Sequence, residues 1–283
     1  MNERRSLVVL SAMVFGFAFL YLPILAMMVY SFNASRLVTV WDSVNSPTIA
    51  WYRELFDNTA LLDAARLSFQ IATTNATGAV ILGTLAAYAL DRYRLFKGRG
   101  VFNVLTTAPM VLPEVITGLS LLLLFVALEQ TVGWPRGRGA VTITIAHITF
   151  SMAYVIVIVK ARLATVDRSI EEAALDLGAR PWKVFAVITL PLIASAIASG
   201  WVLAFILSWD DLVITSFVSG PSSTTLPQLV FSKVRLGISP DINALATILV
   251  LLVTTCVASA GIYMVRAERR RLRDAQMAFE DGV

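Results

Sequence analysis

Few side chains in this sequence are equipped for chemistry, and most of those lie where a charge is expensive. Glu114 stands inside the apolar run "APMVLPEVITG", and Asp210 and Asp211 follow Trp209 at the end of "AFILSWDDLVIT". On insertion scales an ionisable side chain at mid-bilayer costs roughly 2.5–3.5 kcal/mol, so such a group is expected to have a function or a partner. Three carboxylates beside an indole suit an alkylammonium ion. The carboxylates offer charge-assisted hydrogen bonds, and the ring face adds cation–π attraction. Plainer readings stand beside this one. Asp210 and Asp211 could mark a helix leaving the membrane for water. Glu114 could serve backbone groups freed by Pro109 and Pro113, which lack an N–H. His147, the only histidine, has no second metal ligand at useful spacing and reads as an interhelical hydrogen-bonding group. Thr73, Thr74, Asn75 and Thr77 read as glue between helices in the same way. Neither "NAS" at 33–35 nor "NAT" at 75–77 is taken as a glycosylation acceptor.

These residues must be positioned by membrane helices. The chain has 283 residues, 57% hydrophobic and 15% charged, with a mean hydropathy of +0.75. That balance excludes an ordinary soluble domain. The single cysteine, Cys256, lies in an apolar run and excludes an intrachain disulfide. About 20 apolar residues make one helical span, and six stretches qualify: 7–31, 67–90, 101–127, 140–160, 187–208 and 243–265. The first is far longer than a signal-peptide core and is expected to remain as a span. Of the 23 basic residues, 16 fall in the N-terminus, the loops 91–100 and 160–186, and the charged tail 266–283. The positive-inside rule puts those segments, and so both termini, in the cytoplasm. A third span entering near residue 101 places Glu114 about 20 Å along it, beyond the midplane. The fifth span then delivers Asp210 and Asp211 near the outer surface. The expected fold is an all-α integral membrane protein of six helices, forming one domain over residues 1–283.

The cytoplasmic segment 169–191 carries a denser pattern. Ser169 and Glu172 are spaced as a capping box. Ile170, Ala173, Ala174 and Leu177 form one stripe of a short helix. Gly178 can stop that helix at positive φ, and Pro181 suits the first turn of the next. A connector would need no more than this. The full string is longer: Glu172-Ala173-Ala174, three residues, Gly178, nine residues, Ile188, one residue, Leu190-Pro191.

That string resembles the EAA signature, E-A-A-x3-G-x9-I-x-L-P, of permease subunits of bacterial ABC importers. The resemblance implies a type I importer permease in which this loop is the coupling helix, seated in a cleft of a separate ATPase subunit. Its residues would be Glu172, Ala173, Ala174, Gly178, Ile188 and Pro191. The chain contains no G-x4-G-K-[ST] phosphate loop, so ATP and magnesium are expected on the partner, with no cofactor here and no enzyme activity of its own. Further stretches, "SFNASRLVTVW", "APMVLPEVITGLSLLLLF", "SWDDLVITSFVSGP" and "TTLPQLVFSKVRLGISPDINALATI", are similar to spermidine/putrescine importer permeases, most closely the putrescine branch. That resemblance covers nearly the whole chain. It implies a second, different permease, two ATPase subunits and a periplasmic polyamine-binding protein that docks on the outer loop around 218–235. Glu114, Trp209, Asp210 and Asp211 are then candidates for the substrate path, in a bacterial inner membrane. The choice between putrescine and spermidine stays open. A proton-coupled carrier using Glu114 is the alternative from another class, and it leaves the EAA string unexplained.

Overall fold

The computed structural model describes residues 3–35, 40–93, 95–236 and 240–280. Parts of the stretches singled out above, at 36–39, 237–239 and 281–283, lie outside the described residues. Every regular element among the described residues is helical. They form two compact units, residues 60–232 and residues 1–59 with 233–283.

The first of these units holds the elements that position the candidate site: α3 (Thr59–Arg92), α4 (Arg99–Val111), α5 (Glu114–Val132), α6 (Ala140–Leu163), α7 (Ser169–Asp176) and α8 (Pro181–Val184). A π-helical turn at Phe185–Thr189 and α9 (Leu190–Leu192) lead into α10 (Ala194–Trp209) and α11 (Val213–Val218). Its core lies where α3, α6 and α10 meet. Ala76, Ala79, Ala86 and Ala87 of α3 face Val155, Ile156 and Val159 of α6, with Ala204 of α10 in the same cluster. Small residues matter here because lipid supplies little hydrophobic drive between helices, and association rests on close backbone approach. Asn75, fully buried, donates to Ser151 Oγ at 3.2 Å and to the Ala204 carbonyl at 2.8 Å, joining α3, α6 and α10. Thr77 accepts from Trp201 Nε1 at 3.2 Å, whereas Thr74 bonds only its own helix, at the Gln70 carbonyl. The second cluster gathers Phe125, Ile143, Phe150, Ile214 and Val218 from α5, α6 and α11.

Two expected spans are not single straight helices. Residues 101–127 were expected to cross as one helix, but α4 ends at Val111 and α5 begins at Glu114. The reason is Pro113: the residue before a proline is driven to extended backbone, and Leu112 has φ −75 and ψ 141. The 19 residues of α5 run about 28 Å, a crossing length in themselves. Glu114 therefore opens a helix, and the depth argument that set it 20 Å along one no longer holds. The fifth segment is bent by 73° between Pro181–Leu192 and Ala194–Trp209. A π turn and the missing N–H of Pro191 adjoin the bend, both recognised causes of sharp kinks.

The other unit contains α1 (Glu3–Tyr30), α2 (Ala50–Asp57) and α13 (Pro240–Glu280), with α1 and α2 both packed on α13. Between α1 and α2, Asn33 organises the connection. It is 1% exposed, donates to the Val40 carbonyl at 2.7 Å, accepts from the Asp42 N–H at 2.9 Å, and its carbonyl accepts from Trp51 Nε1 at 2.7 Å. α12 spans Leu226–Leu236.

Among the described residues, four helices are long and apolar enough to cross a membrane, or five if the bent pair counts as one. α3 has ample length at 34 residues, but Gln70, Thr73, Thr74, Asn75 and Thr77 make its middle more polar.

A methyl group added at Gly83 would lie 2.8 Å from Val155 Cγ1 and 2.9 Å from Val155 Cβ, where α3 crosses α6. Gly83→Ala is expected to destabilise the unit by about 1–3 kcal/mol through overpacking, read as a lowered melting temperature of the detergent-purified protein. An unchanged melting temperature would mean that α3 and α6 can separate at no cost.

Candidate functional site

The candidate residues fall in two sets: the acids named from the sequence, at the start of α5 and the end of α10, and the segment around α7. In the first group the three carboxylates have different surroundings. Glu114 is exposed in this chain and makes no hydrogen bond or ion pair with another side chain among the described residues. Asp210, the residue closing α10, is also exposed and without such a side-chain partner. Asp211 is fully engaged. Its carboxylate accepts from the Thr215 N–H at 2.7 Å, the Thr215 hydroxyl at 2.6 Å and the Ile214 N–H at 3.2 Å, and it meets His147 Nε2 at 3.1 Å. The His147 ring, 2% exposed, is also joined through Nδ1 to Ser208 Oγ at 2.7 Å and through Nε2 to Thr215 Oγ1 at 3.0 Å. This knot ties α6 to the end of α10 and the start of α11, the kind of cross-helix bond expected of His147. Asp211 caps backbone donors at the opening of α11, so its charge is committed within the protein.

Trp209 is half-buried and ends an aromatic ladder. It stacks on Phe205 with centroids 5.8 Å apart and planes 14° apart, and Phe205 stacks on Trp201 at 5.5 Å. Phe69 of α3 meets Phe205 and Trp209 edge-on at 5.8 and 6.4 Å. One face of the Trp209 ring is thus turned to Phe205. The spacing 201, 205, 209 is a sequence signal for this ladder that an acid-centred reading passes over.

Around α7 the structure corrects one local expectation. Ser169 does not cap the helix; it is its first residue, and its N–H donates to Asp167 Oδ1 at 2.9 Å. Asp167 takes the Ser169 N–H that Glu172 was expected to cap, and the Glu172 N–H donates to the Arg168 carbonyl at 3.0 Å, which leaves the serine hydroxyl no backbone donor to receive. This bond to Ser169 holds the Asp167 carboxyl below its ordinary pKa. Gly178 has the expected left-handed backbone at φ +86, and Pro181 occupies the first turn of α8.

The residues of the EAA string divide by exposure. Glu172, Ala173 and Gly178 are exposed, and Ala174 is half-buried. Leu177 is 90% exposed and Trp182 66%, so the apolar stripe of α7 points away from the body of the unit. Ile188 sits half-buried in the π turn, and the exposed Pro191 follows it in α9.

Glu171, which motif spacing passes over, is the buried anchor at 6% exposure. Arg92, at the end of α3, grips it with two parallel bonds, Nε to Oε2 at 2.8 Å and Nη2 to Oε1 at 3.0 Å. Thr189 Oγ1 donates to the same Oε1 at 2.8 Å. Asp91 adds a second branch, paired with Arg92 and, at 3.1 Å, with Arg168 Nη2. Burial disfavours the Arg92 charge, but the bonds and charge of Glu171, with those of Asp91, outweigh it and raise the Arg92 pKa. Planar bidentate pairs of this kind fix orientation as well as distance. Losing one partner of such a pair strands the other, a cost on the order of 3–5 kcal/mol.

A helical unit with one bent segment and an exposed, glycine-ended helix carrying the EAA string defines a class. The chain belongs to the family of binding-protein-dependent transport system inner membrane components, whose family model matches residues 79–273. It is a multi-pass membrane component of a transport system. Within the family it is 57% identical, over 93% of its length and 92% of the relative's, to the putrescine transport system permease protein PotI of Escherichia coli K12. It is 41% identical to the spermidine/putrescine transport system permease protein PotC of the same strain, over 87% of this chain and 89% of that one. In fold it is similar to a chain of a bacterial ABC transporter involved in import of the acidic polysaccharide alginate, with a TM-score of 0.70 at 17% identity. That match covers 93% of this chain and 97% of the other. The alginate transporter solved with its pentasaccharide-bound periplasmic protein gives a TM-score of 0.67 at 14% identity, over 89% and 90%. At such low identity these two structures speak for the fold alone.

The contrast between the neighbouring aspartates is testable. Asp211→Ala removes the acceptor for Thr215, Ile214 and His147 and is expected to cost about 1–3 kcal/mol for each buried group left unsatisfied. The amount of monodisperse protein in fluorescence-detected size exclusion should fall, whereas Asp210→Ala should match the unaltered chain. Equal yields from the two variants would remove the structural role given to Asp211.

Proposed function

We propose that this chain is a permease subunit of an ATP-driven bacterial importer that carries putrescine or spermidine across the inner membrane. The observation that carries the reading is the 57% identity to a putrescine permease along 93% of the chain. Residue chemistry supports it. Among the described residues Glu114 and Asp210 have no side-chain partner for their carboxylates, and Trp209 offers an aromatic surface beside Asp210. Free, exposed acids suit weak and transient capture of a polycation, and weakness is needed because a tightly held substrate does not leave. Asp211 belongs to the same locus but acts by holding α11 in place rather than by receiving substrate.

The proposed topology has six spans: α1, α3, the α4–α5 segment, α6, the bent segment from α8 to α10, and α13. All 283 residues work as one permease domain, with the basic excess of the 91–100 and 160–186 loops, the N-terminus and the tail 266–283 keeping both ends cytoplasmic. The partners are two ATPase subunits that carry ATP and magnesium, a second, different permease, and a periplasmic polyamine-binding protein. The ATPase receives the exposed face of α7. Leu177 and Trp182 supply apolar contact, Glu172 offers a carboxylate to a basic group, and Gly178 makes the turn that presents them. Ile188 and Pro191 belong to the same coupling segment and shape its return into the membrane.

The test is uptake of labelled putrescine, spermidine and an amino acid into proteoliposomes holding the chain with its operon-encoded partners. Polyamine uptake that requires ATP, and that Glu172→Lys abolishes without loss of membrane insertion, is the expected result. Asp210→Asn is expected to raise the concentration for half-maximal uptake about five- to tenfold, in line with the loss of one charge-assisted hydrogen bond. Amino-acid uptake without polyamine uptake would keep the importer and discard the cargo. Normal uptake by the Glu172→Lys protein would discard the docking face.

A further inference from the structure

The clamp on Glu171 joins three elements that the function must move together. Oε1 receives Arg92 Nη2 from the end of α3 and Thr189 Oγ1 from the π turn, while the residue itself belongs to α7. Arg168, immediately before α7, donates to the Asp91 carbonyl at 2.8 Å as well as to its carboxylate, so α7 is pinned at both Arg168 and Glu171. Alongside runs a cavity of about 330 Å³, lined by Tyr88, Arg168, Glu172, Leu175, Pro181 and Val184 among others. Beside the clamp, then, the gap next to α7 is open volume rather than close packing. The π turn carries i→i+5 bonds and one surplus residue, a local geometry that can convert to α-helix by shifting a single residue. It lies directly before Pro191 and the 73° bend that leads into α10. At the far end of α10 stand Ser208, tied to His147, and then Trp209 and Asp210.

We infer that the Glu171–Thr189 hydrogen bond is the mechanical link through which displacement of α7 resets the π turn and the bend of α10. Glu172 and Glu171 divide the work. Glu172 is exposed at the edge of the cavity, and Glu171, about 100° around the helix, is buried against the body. The bidentate grip of Arg92 stops the Glu171 carboxylate from rotating, so a shift of α7 reaches Thr189 as a shift of an oxygen atom of fixed orientation. Thr189 is then a positioning residue, with no contact to ATP or cargo. The inference rests on the reading of α7 as the ATPase-docking helix, and its test keeps the two apart.

The experiment uses the whole transporter in proteoliposomes and measures putrescine taken up per ATP hydrolysed, with the amount of ATPase co-purifying with each variant. Thr189→Val keeps the branched shape and removes the hydroxyl. With docking intact and hydrolysis within about twofold of the unaltered complex, uptake per ATP is expected to fall about fivefold or more. Thr189→Ser should restore it. Unchanged uptake per ATP in Thr189→Val overturns the link, and so does a parallel fall of hydrolysis and uptake, which marks a role in folding or docking alone. Failure of the docking reading has a separate signature: Glu172→Lys would then keep the ATPase bound and uptake normal, whatever Thr189→Val does.

Discussion

A carboxylate taken out of water needs donors, and in this chain that requirement sorts the acids into two kinds. Glu171 is buried because Arg92 gives it two parallel hydrogen bonds and Thr189 a third. Asp211 is buried because a backbone turn, a threonine hydroxyl and His147 converge on it. Desolvating either without these donors would cost more than the surrounding packing returns. The satisfied acids are therefore architectural, and they sit where helices are broken and need rejoining. Among the described residues Glu114 and Asp210 have no side-chain donor, and both are exposed. The helices in between are held by alanines of α3 set against Val155, Ile156 and Val159 of α6, with a few polar bonds across them.

Much of this was legible in residue types and spacing, because period and composition are local properties. The EAA string, the positive φ at Gly178 and the placement of Pro181 follow from a few adjacent residues. The partner of His147 did not, since Ser208, Asp211 and Thr215 are 61 to 68 positions away in sequence. The break at Leu112–Pro113 was visible as a proline yet was overridden by continuous apolarity, which measures affinity for lipid and is blind to backbone angle. Asp167 defeated the capping expectation by proximity alone. Glu171 was missed for a geometric reason: two adjacent acids on a short helix look alike until it is known which one faces an arginine 79 residues away.

The π turn and the bend beside it sit between α7, with its exposed apolar stripe, and α10, which ends at the exposed Asp210. Pro191 cannot donate to the ladder, which leaves the stretch beside the π turn with one hydrogen bond fewer. A segment of this kind has two neighbouring hydrogen-bonding registers at modest cost, and bistability of that sort is what lets a small local shift become a larger rotation farther along. The ends of this stretch are held by rigid pairs, and the irregular turn lies between them.

Leu177 and Trp182 point away from the body at 90% and 66% exposure, next to small residues and a glycine bend. A patch of that kind is comfortable only when covered. On the docking role proposed above, a copy whose α7 is uncovered displays a short apolar helix to water, so the same surface that serves assembly also marks an unassembled copy.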